Sequence, residues 1–373
     1  MRTWQSTKEA LEKASICKRP RDAVHHVVKE SIGGVASYSG LGQMPKNRQQ
    51  VSDLKRNTNA SPLLSVRKNM SGRGTQNDPW YLLLNESKRQ ARNNESAFVR
   101  DVSVGGEPFC VLASKRQLKD LRRFCCNPTA FKPLTVDPTF NIGNFNVTPI
   151  SYQHLLLETR KDGNHPTLIG PVLIHEKKTE QTYSLFWWSL KAHEQGLNEL
   201  LAFGTDDELA LINGFNCNFE RSVHLLCEIH LKKNIENALL SFGISGKDKD
   251  EITFDIFGRH QEGVFESGLS DANSEDDFFH TLGILEKRWS RQHIAGKNFY
   301  DWFLKQKAPE FIRSVISPVR QRAGLGCPPT RFTTNRSERT NGVIQDFIKR
   351  ECGQGKVDEY VFATTLQNAR KRS

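Results

Sequence analysis

Apolar and polar positions alternate at several distinct periods along the chain, and each period predicts a different element. Leu134–Asp137 is a short apolar strand that ends on a carboxylate, and Val147–Thr159 is a longer apolar-rich one. The polar turn at Lys161–Asn164 and the apolar run Leu168–His175 then predict adjacent antiparallel strands. Thr182–His193, with Leu185, Trp188 and Leu190, reads as a helix covering that sheet. Leu200–Phe203 is a fourth strand running into Gly204-Thr205-Asp206, and Val223–Cys227 is a fifth. Leu209, Ile212 and Phe215 recur at helical spacing after the fourth strand, as Leu231, Ile235 and Leu239 do after the fifth. Three strands, a helix, then alternating strands and helices specify an α/β fold with a mixed sheet.

Residues 244–330 break that rhythm and predict a helical insertion. Ser274-x-x-Asp277 opens a helix whose face carries Phe278, Leu282, Leu285 and Trp289, and Phe299, Trp302 and Phe303 belong to another. Asn335-Arg336-Ser337-Glu338 starts a last helix with Val343, Ile344 and Phe347 (331–373 completing the core). Upstream of the core (132–243), residues 78–131 form a basic α+β lead-in with a strand at Phe109–Ala113. Its basic amphipathic helix, Lys115–Cys126, turns Leu118, Leu121 and Phe124 inward. Helical stretches at Glu9–Cys17 and Asp22–Glu30 give residues 1–54 a small, basic, mostly helical character, and 55–77 reads as a polar linker.

Charge changes the picture once it is divided along the chain. The overall +11 conceals 24 Lys+Arg against 11 Asp+Glu in residues 1–132. Residues 133–300 hold 15 against 24, and residues 301–373 hold 14 against 7. Basic ends around an acidic middle suggest a polyanionic partner, nucleic acid first. No apolar run approaches the ~18 residues that span a bilayer, so a membrane partner is not expected. Lys8, Glu9, Glu12 and Lys13 occupy the place of a secretory apolar region. The eight cysteines include no C-x-x-C pair and predict reduced thiols rather than a disulfide framework or a zinc finger. Cys125 and Cys126, before a Pro turn, read as buried rather than reactive.

Candidate chemistry follows from where the carboxylates fall. Asp137 and Asp206 both end strands expected to be neighbours, an arrangement suited to a hard cation that takes oxygen ligands. Glu338, at the start of the helix after the insertion, is the candidate third ligand for a two-metal phosphodiester site. Taken singly, an Asp after a strand is more often a turn or cap, and Asn335-x-x-Glu338 also reads as a capping box. His224, Cys227 and His230 recur every three residues, which leaves zinc, core packing and a role near the site all open, although one short segment gives poor tetrahedral geometry. Lys18, Arg19 and Arg21, with Lys115, Arg116, Arg122 and Arg123, are the candidate DNA-binding cations, and Lys18–Arg21 doubles as a short nuclear-import signal.

Four blocks in order, Thr135–Phe140, Phe203–Asp206, Cys227–His230 and Thr334–Asn341, resemble a Mutator-like (MULE) DDE transposase domain over about residues 105–365. The resemblance implies a ribonuclease-H-like sheet interrupted by a helical insertion ahead of its Glu. It also implies catalysis by Asp137, Asp206 and Glu338 holding Mg²⁺ or Mn²⁺, with Cys227 and His230 in the active-site vicinity. Asp207 is the substitute if the register is one residue off. DNA cleavage at element ends with strand transfer, a nuclear location and a homodimer are the corresponding expectations. A catalytically inactive DNA-binding derivative and a generic ribonuclease-H-like nuclease are the alternatives. Pro138 stands where a small or hydroxylated residue is expected, and no zinc-bearing DNA-recognition module precedes the core.

Overall fold

The computed structural model describes residues 78–92, 97–138, 140–142, 145–261, 263–352 and 357–372. The helices expected at 9–17 and 22–30, the linker, and Lys18, Arg19 and Arg21 lie outside these residues. Two compact units divide the chain, Met1–Leu82 and Leu83–Ser373. Of the first, only the opening turn of helix α1 (Pro79–Arg92) is described, with the Asp78 carboxylate accepting from the Trp80 amide. The second unit is an α/β domain built on one mixed sheet.

Ten strands are described: β1 (Val99–Ser103), β2 (Phe109–Leu112), β3 (Leu134–Val136), β4 (Phe140–Ile142), β5 (Phe145–Gln153), β6 (Thr167–His175), β7 (Ala202–Thr205), β8 (Val223–Leu226), β9 (Arg259–Gln261) and β10 (Val264–Glu266). The main sheet runs β1-β2-β6-β5-β3-β7-β8, with β4 paired to β5. β5 pairs antiparallel with β6 and β3, whereas β3, β7 and β8 run parallel. β2, the strand expected at Phe109–Ala113 in a lead-in ahead of the core, is hydrogen-bonded into this sheet through β6, and β1, which the sequence pattern does not predict, pairs with its other edge. β5 ends at Gln153, earlier than its apolar run suggests. Beyond it the chain turns through a loop in which Thr159 and Asp162 hydrogen-bond each other.

One face of the sheet is covered by α2 (Lys115–Cys125), α3 (Glu180–His193) and α4 (Leu209–Asn216). Ser114 and Gln117 cap α2 reciprocally, which fixes where the basic helix starts. Leu118, Leu121 and Phe124 pack with Leu134, Val136, Ile150 and Phe203, while Lys115, Arg116, Arg122 and Arg123 stay exposed. Trp187 is buried in α3 and its neighbour Trp188 lies in solvent. Cys125 and Cys126 are buried, and burial raises both thiol pKa values.

A second core forms around α5 (Glu228–Ser241) and the insertion, which comprises α6 (Gly246–Phe257), the β9–β10 hairpin, α7 (Glu275–Gln292), α8 (Gly296–Gln306), α9 (Ala308–Ser314) and α10 (Ser317–Arg322). Phe278, Leu282, Leu285 and Trp289 are buried on α7, capped by Ser274 as its spacing predicts. The hairpin is an addition to the expected all-helical insertion. α11 (Asn335–Cys352) and α12 (Glu359–Arg372) close the described chain. The buried stripe of α11 is Ser337, Asn341, Ile344 and Ile348. Of the expected stripe only Ile344 is fully buried; Val343 faces solvent and Phe347 is half-buried. Small polar side chains head the stripe because this end of the helix lies against Ser151 and Asp137 rather than against an apolar face.

Candidate active site

Strand register decides which residues meet. In the parallel pair β3–β7, Leu134 lies beside Phe203 and Thr135 beside Gly204. Continuing that register two residues places Asp137 beside Asp206. Side chains alternate across a strand, so Leu134, Val136 and Phe203 enter the α2–α4 core while Thr135, Asp137, Gly204 and Asp206 share the opposite face. α11 and the segment leading into it lie over that face. The segment is seated by Gly204, because a Cβ there would stand 1.9 Å from Cζ of Phe332.

Three tethers then fix α11. The hydroxyls of Ser151 and Ser337 share a 2.5 Å hydrogen bond. Asn341 Nδ2 donates to Oδ2 of Asp137 at 3.0 Å, between side chains that are both buried. The Thr334 amide and hydroxyl donate to Cys227 Sγ at 3.4 and 3.2 Å, and the Glu228 amide donates to the Phe332 carbonyl. Cys227 caps α5, so this last tether ties the start of α5 to the approach of α11. Across it, His230 Nε2 stands 3.5 Å from Glu338 Oε1, with the Glu338 side chain 43% exposed.

Asp206 is the electrostatic centre of the arrangement. Its Oδ1 is buried without a hydrogen-bond partner, and burial, reinforced by the Glu208 charge, raises its pKa against the opposing pull of His230 and Lys178. Lys178 bridges the two strand ends, donating to the Pro138 carbonyl at 3.0 Å and to Glu208 at 3.3 Å. Tyr183 donates to the other Glu208 oxygen at 2.7 Å. Asp207 points elsewhere: Lys307 of the insertion holds its carboxylate at 2.9 Å, with Glu310 2.6 Å from the same ammonium. The one-residue register alternative therefore places its carboxylate in an ion pair.

The three residues of the His224-Cys227-His230 series diverge. His224 is half-buried between the hydroxyls of Thr205 and Ser314, and loss of solvent around its ring lowers its pKa to about 3. Cys227 meets Thr334 and His230 meets Glu338, so they share no common centre. Among the described residues no three His, Cys, Asp or Glu side chains stand together as a metal-binding group. The candidate carboxylates share one face and one helix without closing on a point. The donor set, two strand-end aspartates and an exposed glutamate with one orphaned carboxylate oxygen, fits a hard divalent cation.

The exposed cations of α2 lie on the other face of the sheet. Arg122 is 3.4 Å from Glu194, Arg116 is 3.8 Å from Asp120, and the Arg123 guanidinium stands 5.6 Å from the Phe124 ring centroid. Sequence reasoning missed Lys178, Glu208, Ser151 and Lys307, whose partners are distant in the chain. Asn341 had a signal, since it lies three residues from Glu338 on a predicted helix and hence on the same side. Among the described residues no helix is long and apolar enough to cross a membrane. No family model and no curated protein sequence matches this chain.

Proposed function

We propose that this chain is a DNA transposase-like phosphodiesterase with a ribonuclease-H-like core, of the Mutator-like DDE kind. The observation that carries the reading is the β3–β7 register, which, extended past the two strand ends, would lay Asp137 and Asp206 side by side on the face that α11 covers. A ribonuclease-H-like sheet with a helical insertion ahead of the glutamate is what the resemblance of the four blocks implies, and a mixed sheet followed by such an insertion is consistent with it. Asp137, Asp206 and Glu338 would hold two Mg²⁺ or Mn²⁺, which supply activation of the attacking oxygen and stabilisation of the leaving one. The chain's own residues prepare that edge. Lys178 pins the turn after Asp137, Asn341 orients its carboxylate, and His230 faces Glu338. DNA as the partner is supported by the basic ends of the sequence, and a homodimer and a nuclear location come with the resemblance alone.

The test is cleavage of supercoiled plasmid and linear duplex by the purified chain with Mg²⁺ or Mn²⁺. Asp137→Ala, Asp206→Ala and Glu338→Gln should each abolish it, and cleavage surviving Asp137→Ala contradicts the assignment. Strand transfer separates a transposase from a plain nuclease. The second reading, a catalytically inactive DNA-binding derivative, is favoured by the hydrogen bond of Asn341 to Asp137 and by the separation of the three carboxylates. It predicts salt-sensitive DNA binding without cleavage in either metal.

A further inference from the structure

A cleft of about 650 Å³ opens on the α11 face of the sheet, between the start of β3, the end of β5 and the segment before α11. It shares Thr135 and Ser337 with the candidate active site, one two residues from Asp137 and the other next to Glu338. Among the described residues no Asp or Glu lines it; Asp162, next to the lining residue Gly163, is the acidic neighbour close enough to feel the charge of Arg336. Lys132, Arg331, Arg336 and His165 line it, together with hydroxyls that include Thr330 and Thr333.

The cations are not equivalent. Arg331 is held by Glu228 and Asp271, each at 2.6 Å, and forms the neutralised floor. Lys132 Nζ donates to the Gly324 carbonyl at 3.0 Å, and an ammonium has two further donors to offer. Arg336 is exposed in the first turn of α11, where the helix N-terminus adds its own attraction for anions. Thr167 Oγ1, at the cleft wall, is buried without a hydrogen-bond partner. Of the three aromatic rings of the lining, Tyr152 and Phe332 are buried and offer no open face for a base to stack on, which leaves His165 alone partly exposed. Several donors with a single partly exposed ring suit a sugar–phosphate backbone better than a run of stacked bases.

We infer that this cleft binds the phosphodiester backbone of one DNA strand flanking the cleaved linkage, with Lys132 and Arg336 as sequence-independent phosphate contacts. The inference rests on the proposed function for the neighbouring site, but its test does not require catalysis. The full chain is measured in EDTA by fluorescence anisotropy with labelled single-stranded and duplex DNA of two unrelated sequences, across 50–200 mM salt. Arg336→Gln and Lys132→Gln should each weaken binding equally for both sequences. Each should also make the log K against log salt slope shallower by about 0.7 on single strands or about 0.9 on duplex. Arg291→Gln, on the insertion, is the remote control for a lost surface charge. Lys132 also holds Gly324, so thermal melts accompany it, and exposed Arg336 carries the decision if Lys132→Gln fails to fold. An Arg336→Gln slope equal to that of Arg291→Gln overturns the inference, as does competition by inorganic phosphate that leaves DNA binding intact in every variant. Slope changes without cleavage in metal would leave the cleft standing and remove the catalytic reading; cleavage with an unchanged slope would do the reverse.

Discussion

Asn341→Asp places a second carboxylate against Asp137 inside a buried contact, and the structure sets both the size and the pH dependence of the result. The amide donates to Asp137 at 3.0 Å, with both side chains buried. Losing a hydrogen bond to a charged group costs about 1.5–3 kcal/mol. Two full charges about 3 Å apart at an effective dielectric near 20 would add roughly 5 kcal/mol. The pair avoids most of that second penalty by keeping one proton, so one carboxyl pKa in the folded variant rises. The folded variant then holds a proton that the unfolded chain has released, and stability falls as pH rises above about 4 until the raised pKa is passed, by up to ~1.4 kcal/mol per pH unit. Urea unfolding across pH 4–8 is the assay. The deficit against wild type should be small at pH 4 and reach about 3–5 kcal/mol at pH 8, within the usual total stability of a domain. Mn²⁺ at about 100 times its dissociation constant should restore roughly 2.7 kcal/mol. A deficit equal at pH 4 and pH 8, with no stabilisation of the variant by Mn²⁺ over its metal-free state, would refute the contact and the placement of Asp137.

Other consequences can be read from single sites. Gly204→Ala should destabilise by about 1–3 kcal/mol, because Phe332 has to move, and pairing it with Phe332→Leu in a double-mutant cycle should recover part of the loss. Lys307→Met leaves Asp207 and Glu310 together without their cation; it should cost about 3 kcal/mol at pH 7 and less at pH 5, measured by urea unfolding. His175 is buried against Thr148 with its pKa lowered to about 4, so it stays neutral in the fold while the unfolded side chain protonates below about 6.5. Stability should therefore decline as pH falls from 6.5 toward 4, by about 3 kcal/mol for this residue, and His175→Gln should flatten that part of the curve.

The α/β pattern was legible because its signals are local. Leu134–Asp137, Leu168–His175 and Val223–Cys227 are apolar runs bounded by turns, and the α7 face repeats Phe278, Leu282, Leu285 and Trp289. The structure gives each nearly the expected bounds. β2 reads as part of a lead-in because nothing local says that Phe109–Leu112 pairs with Val172–His175, some sixty residues on, and β1 gives no strand signal of its own. The face of α11 was misread for a related reason. The apolar pattern points to Val343 and Phe347 beside Ile344, but the surface that receives the start of the helix is polar, so Ser337 and Asn341 take the inside there, followed by Ile344 and Ile348. At the site, strand-end carboxylates could be proposed from spacing alone. Their common face could not be, since it depends on the β3–β7 register and on a glycine that admits Phe332.

Divalent-metal binding tests the central claim most directly, since Asp137 and Asp206 at the strand ends and Glu338 on α11 are proposed to act as one ligand set. Mn²⁺ titration of the full chain, followed by calorimetry or by the loss of the free-ion electron paramagnetic resonance signal, supplies the measurement. Saturable binding is expected, weakened at least about tenfold by each of Asp137→Ala, Asp206→Ala and Glu338→Gln, the cost of losing roughly 1.4 kcal/mol or more of ligand interaction. Asp207→Asn, whose carboxylate is held by Lys307, should bind as the wild type does. Absence of saturable binding, or binding that Asp207→Asn weakens while Asp206→Ala and Glu338→Gln leave it unchanged, would contradict the account.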